Sequence, residues 1–422
     1  MNYRLHPICA GIVLVLFVLT SCSTVKIDQE YQDSFSGLAE YYAGKGISQF
    51  TSTLPRVYLN GISWFNRILE LVESAEDYIL IDTFLSNTCL ENQEIYDALK
   101  IKHKEGVRIY FLCDSSSFIQ PYLIKDGFAP AAIAFLQSAG IPVTEYNPYL
   151  GTRLGILTKM LDRDHRKFVI IDGKTLVLGG TNLNFASLTI PDGKGHIDSM
   201  TEIDSSGAVA QMLNSFIRSW NAYSIEKLSV EDFVVRESDG DSALWLFDQG
   251  TGDHGVVATM FDGLFASAVH EIWMIQAFAF LTGKLLEKIR QLEERGVDVH
   301  IVFSNNYQGI QYEKAAMYNI LKLLDTGADA YMLESPDGSF AHIKFVAVDD
   351  SVVSLGSANY NLRSFDLSRE TSFVSADPRL VQSSWDWFSK ILSQCRPITR
   401  EEAEGYRSFS YLFYYLLMLY GG

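Results

Sequence analysis

The sequence predicts an α/β protein built from two similar sandwich repeats, related by a pseudo-twofold axis, with an active site at their interface. Three observations carry this expectation. Residues 164–184, DHRKFVIIDGKTLVLGGTNLN, return in outline as residues 341–361, AHIKFVAVDDSVVSLGSANYN. From His165 and from His342 alike, the offsets are two to a lysine, seven to an aspartate, fourteen to a glycine and seventeen to an asparagine. The strand and helix signals ahead of the two motifs also recur in the same order. Finally, 422 residues with 48% apolar and 20% charged content can bury the core of two ordinary domains. A single His-x-Lys carries little weight, since such residues are usual at a strand edge. Two copies with matched offsets are hard to obtain by chance.

The first repeat is expected over 56–240. Gly61–Ser74 has helical spacing of Ile62, Phe65, Ile68, Leu69 and Val72, and 78–85 reads as a strand. Residues 94–104 are again helical, Gly106 is a stop, and 107–113 reads as a strand. In the motif, His165 and Lys167 are two apart and so share one face of a strand. The apolar run 168–171 carries that strand inward to Asp172, and 175–178 reads as its short partner. The second repeat, expected over 241–400, replays the order: 264–268 helical, 272–280 strand, 284–295 helix, Gly296, 297–303 strand. Between them, 228–255 is rich in acidic residues and glycine and reads as an exposed connection, with the boundary near Asp241.

The chain ends carry different signals. Arg4 followed by the apolar run 8–19 has the form of an export signal over 1–21, too short for the roughly 20 apolar residues that span a bilayer. Leu19-Thr20-Ser21-Cys22 resembles a bacterial lipobox, which implies lipidation at Cys22 and an exported lipoprotein held on a membrane. Residues 22–55 read as a polar tether. At the other end, 401–422 contains the apolar run SFSYLFYYLLMLY, expected to pack on the core as a terminal helix. Five cysteines lack any CxxC or Cys/His spacing, so neither a zinc site nor a disulfide framework is expected. A net charge of −17 argues against a nucleic-acid partner.

Paired His-x-Lys and Asn sets suit phosphate chemistry without a metal or other cofactor. Lysine and asparagine donate to the non-bridging oxygens of a phosphate. One histidine can attack phosphorus while a second protonates the leaving oxygen. Neither set alone supplies both roles; two facing copies do. His196, His254 and His300 have no partner pattern and are expected to be surface or structural residues. Arg153, Lys159, Arg163 and Arg166 form a local basic cluster that reads either as a solvated strand entry or as an attractor of an anionic headgroup.

At these residues the chain resembles the phospholipase D superfamily, whose signature is His-x-Lys-x4-Asp-x6-Gly-Gly/Ser, over roughly residues 61–374. It is similar to the cardiolipin synthase-like branch in His165-Arg166-Lys167, Gly179-Gly180-Thr181-Asn182 and the preceding Tyr146-Asn147-Pro148, and again in Gly356-Ser357-Ala358-Asn359 and Arg363-Ser364 leading to Glu370. Ser368 departs from that branch, which has asparagine there. The resemblance implies two phospholipase D-like repeats acting on a phospholipid, an anionic glycerophospholipid being the expected substrate, by phosphatidyl transfer or hydrolysis. His165 and His342 would be the catalytic pair, with His165 the nucleophile. Lys167, Lys344, Asn182 and Asn359 would clamp the phosphate, helped by Ser357, where the first copy has Gly180. Glu370, 28 residues after His342, matches the family's histidine-orienting acid; Glu202 is expected to serve His165, displaced by an insertion over 188–197, with Asp204 its rival. Asp172 and Asp349 are expected to brace the strands.

Overall fold

Alternating apolar runs and amphipathic helices give each half a mixed sheet with helices on its outer face. The computed structural model describes residues 35–87, 92–117, 129–148, 162–184, 187, 196–238, 240–307 and 309–419. In the first half the strands are β2 (Arg56–Asn60), β3 (Tyr78–Thr83), β4 (Arg108–Asp114), β5 (Val143–Tyr146), β6 (Lys167–Ile171), β7 (Thr175–Gly179) and β8 (His196–Asp204). They line up as β2-β8-β7-β6-β3-β4-β5, with β3, β4 and β5 parallel. The second half contains β9 (Ser242–Gln249), β10 (Glu271–Gln276), β11 (Asp298–Ser304), β12 (Asp329–Leu333), β14 (Lys344–Val348), β15 (Val352–Gly356) and β16 (Glu370–Ser375). Their order, β9-β16-β15-β14-β10-β11-β12, matches the first strand for strand. The chain is therefore two similar α/β repeats.

Alternation along the strands divides the core. Ile79 and Ile81 face helices Gly61–Ser74 and Gln93–Lys104 on the outside of the first sheet. Leu80, Phe168 and Leu178 face inward and join Leu246, Phe345, Leu355 and Phe373 of the second sheet in one continuous core. The helices Ser206–Tyr223 and Pro378–Leu392, each following its repeat's last strand, also contribute to this shared layer. Burial of apolar surface between the sheets thus fixes how the repeats face each other.

Three short strands cross-link the halves or extend their edges. β1 (Gln49–Ser52) pairs with β9, β13 (Phe340–Ala341) pairs with β8, and β17 (Cys395–Pro397) pairs with β12. The first of these corrects the expectation of a tether over 22–55, because its described part is built into the second repeat. Leu38, Tyr41 and Tyr42 sit at helical spacing on Phe35–Gly44 and are buried against Trp245, Phe247 and Phe261, and the Tyr42 hydroxyl donates to the Met260 carbonyl at 2.9 Å. The leader, Cys22, Cys89, Arg153 and Lys159 lie outside the described residues. At the C-terminus, Arg400–Gly405 and Phe409–Met418 form two helices; the second packs on Ile310–Met317, where Lys314 donates to the Ser410 hydroxyl at 2.8 Å, and its Tyr415 hydroxyl donates to the Leu281 carbonyl at 2.9 Å. No helix among the described residues is long and apolar enough to cross a membrane.

Candidate active site

Each motif strand begins where an antiparallel neighbour ends. Lys167 opens β6 opposite Thr83, the last residue of β3, and Lys344 opens β14 opposite Gln276, the last residue of β10. Both lysines and both histidines are largely buried there, and each ammonium donates to the carbonyl of its own motif histidine. Lys167 lies 5.0 Å from the Phe84 ring, and His165 meets the same ring edge-on at 4.9 Å.

The orienting acids are exchanged between the repeats. His165 Nδ1 lies 3.0 Å from Glu370 Oε2 on β16, and His342 Nδ1 lies 2.6 Å from Asp198 Oδ2 on β8. The backbone repeats the exchange: His165 N–H donates to the Arg369 carbonyl, and His342 N–H donates to the Ile197 carbonyl, both at 2.9 Å. Each histidine is thus tied, by ring and by backbone, to the acid and to the residue just before it in the opposite repeat. A carboxylate on Nδ1 fixes the ring orientation and leaves Nε2 for chemistry.

This arrangement corrects the expected role of Glu202. Its carboxylate accepts from Arg67 at 2.8 and 3.0 Å and from the Tyr58 hydroxyl at 2.8 Å, and it pairs with Arg56 at 3.1 Å. Asp204, the rival, accepts from the Thr175 hydroxyl at 2.7 Å. The physical reason is register. Gly179 pairs with Met200, as Gly356 pairs with Ser372, so Asp198 holds the place that Glu370 holds. Ser357 also serves differently from expectation: its hydroxyl donates to Glu370 at 2.5 Å and accepts from Thr371 N–H at 3.0 Å, so it props the acid. Ser364 donates to the other Glu370 oxygen at 2.7 Å. At the matching Gly180, a Cβ would stand 2.2 Å from Asp198 Oδ1, so glycine makes room for the shorter acid.

Burial dominates the electrostatics. It pushes His165 down to about 4, Glu370 opposing and Lys167 and Lys344 assisting. His342 is likewise pushed to about 4, mainly by burial, then by Lys344, against the pull of Asp198. Burial also lowers Lys167 to about 7 and Lys344 to about 8. Asp198 is held at about 2 because the attraction of His342 and Lys344, with its hydrogen bonds, outweighs burial. Lys344 acts on His165 and Lys167 acts on His342, so the two sets share one electrostatic site. Near neutral pH both imidazoles of the cleft are therefore neutral. Asn182 and Asn359 are buried, and Asn182 Oδ1 has no hydrogen-bond partner among the described residues. Each ammonium gives one of its three protons to a motif carbonyl, so a bound phosphate would meet the remaining ammonium donors beside the buried amides and the imidazoles.

Around this centre the residues are structural. Asp172 adopts a left-handed φ of 50° and accepts from the N–H groups of Glu76, Asp77 and Tyr78 at 2.8–3.0 Å. Asp349, at φ 44°, does the same for Val269, His270 and Glu271, each at 2.8 Å. Each aspartate thus secures the start of the antiparallel strand beside its motif. Arg163 and Arg166 are not a headgroup-facing patch. Both are fully buried: Arg163 pairs with Asp114, and Arg166 with Asp82, Asp164 and Asp248. His300 stacks on Trp273 at 4.0 Å, away from the motifs.

His196, expected to be a surface or structural residue, is half-buried beside the second motif histidine. It opens β8 two residues before Asp198, and its ring lies 5.1 Å from that of His342 at an angle of 30°. Its donor atom, one of Asp198 and one of His342 all lie within 4.8 Å of one another. The sequence clue was strand alternation, which puts residues two before an orienting acid on the same side as that acid.

Two sandwich repeats that exchange acids across a buried His-Lys pair define a phosphodiester-processing enzyme of the phospholipase D type. The comparison is more particular. A family described as "Cardiolipin synthase, PLD-like domain" matches residues 68–220 and again 263–392, and the chain belongs to it. A cardiolipin synthase 1 of Bacillus cereus is 27% identical over 350 residues, covering 78% of this chain and 64% of that protein. One from Staphylococcus epidermidis is 24% identical over 351 residues, covering 82% of this chain and 69% of its own length. The match to the first thus spans less than two thirds of that relative. In fold, a crystal structure of phosphatidylserine synthase from Haemophilus influenzae superposes with a TM-score of 0.70 at 14% identity, covering 91% of this chain and 99% of that one.

Proposed function

We propose that the protein is a cardiolipin synthase-like phosphatidyltransferase working through a phosphohistidine. The crossed pairing of His165 with Glu370 and of His342 with Asp198 carries the reading, because a carboxylate on each Nδ1 leaves one Nε2 from each repeat for chemistry. His165 Nε2 attacks the phosphorus of phosphatidylglycerol, the bond to the glycerol headgroup breaks, and His342 gives its proton to the departing oxygen. A headgroup hydroxyl of a second phosphatidylglycerol then passes its proton to His342 and attacks phosphorus, breaking the P–N bond and releasing cardiolipin. Lys167, Lys344, Asn182 and Asn359 hold the phosphate charge throughout. The proton that His342 needs is taken up with the substrate, since an anionic phosphate in the cleft raises both imidazoles from about 4.

Water in place of the second hydroxyl gives phosphatidic acid by the same residues, and this hydrolysis is the second reading. A nuclease or a non-catalytic surface lipoprotein fits less well, given the net charge of −17 and the two intact motifs. Incubation with labelled phosphatidylglycerol in EDTA separates the readings: cardiolipin with free glycerol supports transfer, whereas phosphatidic acid alone makes it a hydrolase. The lipobox-like sequence ending at Cys22 supports an exported lipoprotein on a membrane face, where phospholipid is always in reach. A Cys22→Ala form is then released or left unprocessed; normal processing and retention would refute the anchor.

A further inference from the structure

The pairing of His342 with Asp198 would complete the second imidazole, yet a third imidazole stands beside it. We propose that His196, Asp198 and His342 form a site for a divalent transition ion of the zinc class, and that the ion holds the enzyme inactive. The three donor atoms lie within 4.8 Å of one another. Ligands of a tetrahedral zinc at ~2.0–2.2 Å stand about 3.4 Å apart, so small side-chain rotations bring the set onto an ion. Two imidazoles and one carboxylate suit zinc, cobalt or copper rather than magnesium or calcium, which prefer all-oxygen sites. His196 is half-buried while Asp198 and His342 are buried, which leaves a side for entry and a position for water.

The consequence follows from what the ion displaces. His342 and Asp198 now share a proton across 2.6 Å, closer than two ligands of one ion. Binding opens the pair and confines the single proton of His342 to the ring nitrogen that does not hold the ion, so this imidazole can no longer pass a proton to the headgroup oxygen. Nothing in the phosphatidyl chemistry requires His196, so the ion site goes beyond that chemistry, and its occupancy can be measured without a lipid substrate.

The test is titration of the full-length protein with zinc sulfate by calorimetry, and with cobalt chloride followed by visible absorption. One ion should bind per chain, with four-coordinate cobalt bands. His196→Gln should weaken binding at least about tenfold, while His300→Gln, at a histidine flanked by Asp329 and Glu271, should leave it unchanged. Asp198→Asn should weaken binding equally, which guards against a folding defect confined to the first variant; melting curves check both. With lipid, zinc should inhibit wild type reversibly, and His196→Gln should need at least tenfold more zinc. Binding that survives His196→Gln in a folded protein, or that is lost in His300→Gln, overturns the proposal.

Discussion

His165 and Glu370 are 205 residues apart in the chain and 3.0 Å apart in space, and the contact runs between repeats. Glu370 nevertheless belongs to the same repeat as His342. Each half therefore orients the imidazole of the other, and mutation of an acid should show its effect on the histidine it does not share a repeat with.

That crossing predicts different failures for the two acids. Glu370→Gln should leave His165 misaimed and slow formation of the covalent intermediate by about 10²–10⁴-fold. Asp198→Asn should act through His342 and slow turnover by a similar factor, while a substrate with a good leaving group still labels the enzyme. Rapid quench with labelled lipid reads both. Glu202→Gln should keep kcat within about twofold and lower Tm, since Glu202 anchors Arg67 and Arg56 instead. A collapse of kcat in that variant would restore it to the site.

The pH dependence of kcat/KM should follow the free cleft. Activity should fall below about 4, where His165 takes up a proton. It should decline gradually above that, because each productive encounter must bring the proton that His342 donates, and should fall more steeply between about 7 and 8, as Lys167 and then Lys344 lose their charge. In kcat the alkaline limb should move upward, because a bound phosphate holds the lysines cationic. A kcat/KM that climbs steadily to pH 9 would mean that the lysine charges are not needed for capture.

Function and stability should oppose each other at Lys167. Its folded value near 7 lies below the ordinary 10.5, so between these the unfolded chain binds more protons and folding stabilises with rising pH. Lys167→Met should abolish transfer, raise Tm at pH 7 by about 2–4 °C, and flatten the rise of Tm from pH 7 to 10. Inorganic phosphate should raise the Tm of wild type but hardly that of the variant. A lower Tm for Lys167→Met would show that its aliphatic stem matters more than its buried charge.

Arg166 should be among the least replaceable residues. It holds Asp164 at 2.6 Å, Asp82 at 3.0 Å and Asp248 at 3.2 Å, the last from the other repeat, in a fully buried cluster. Burial and Asp164 push Asp82 well above the ordinary carboxylate range, so with Asp82 protonated the one cation is shared between two carboxylates. Arg166→Leu should lose about 3–5 kcal/mol in urea unfolding. Restoration of part of that by Asp248→Asn would assign the loss to uncompensated charge; no restoration would assign it to packing.

Much of this was legible in the sequence, because period and repetition survive without neighbours. The offsets from His165 and His342 named the motif residues, and alternation with helical spacing named β3, β4, β10 and β11. Contacts set by the fold were not legible. Nothing local says that Glu370 reaches His165, because the exchange depends on how the sheets face each other. Glu202 was mistaken for the partner because the insertion was measured in residues, whereas strand register puts Asp198 opposite the matching place. His196 carried no repeated pattern, and Arg163 and Arg166 looked exposed only because their carboxylates come from distant strands. The stripe Leu38, Tyr41 and Tyr42 was overlooked within a polar segment.

The inward-facing core has a consequence for how the protein could be divided. Leu80, Phe168 and Leu178 gain their cover from Leu246, Phe345 and Phe373, and β1 and β13 each stitch one half to the other's sheet. A fragment ending near residue 240 would expose that apolar layer and keep a histidine with no acid to aim it. Two such fragments could hide the layer only by pairing, and a pair of first halves would rebuild the cleft with Asp198 serving His165 on both sides.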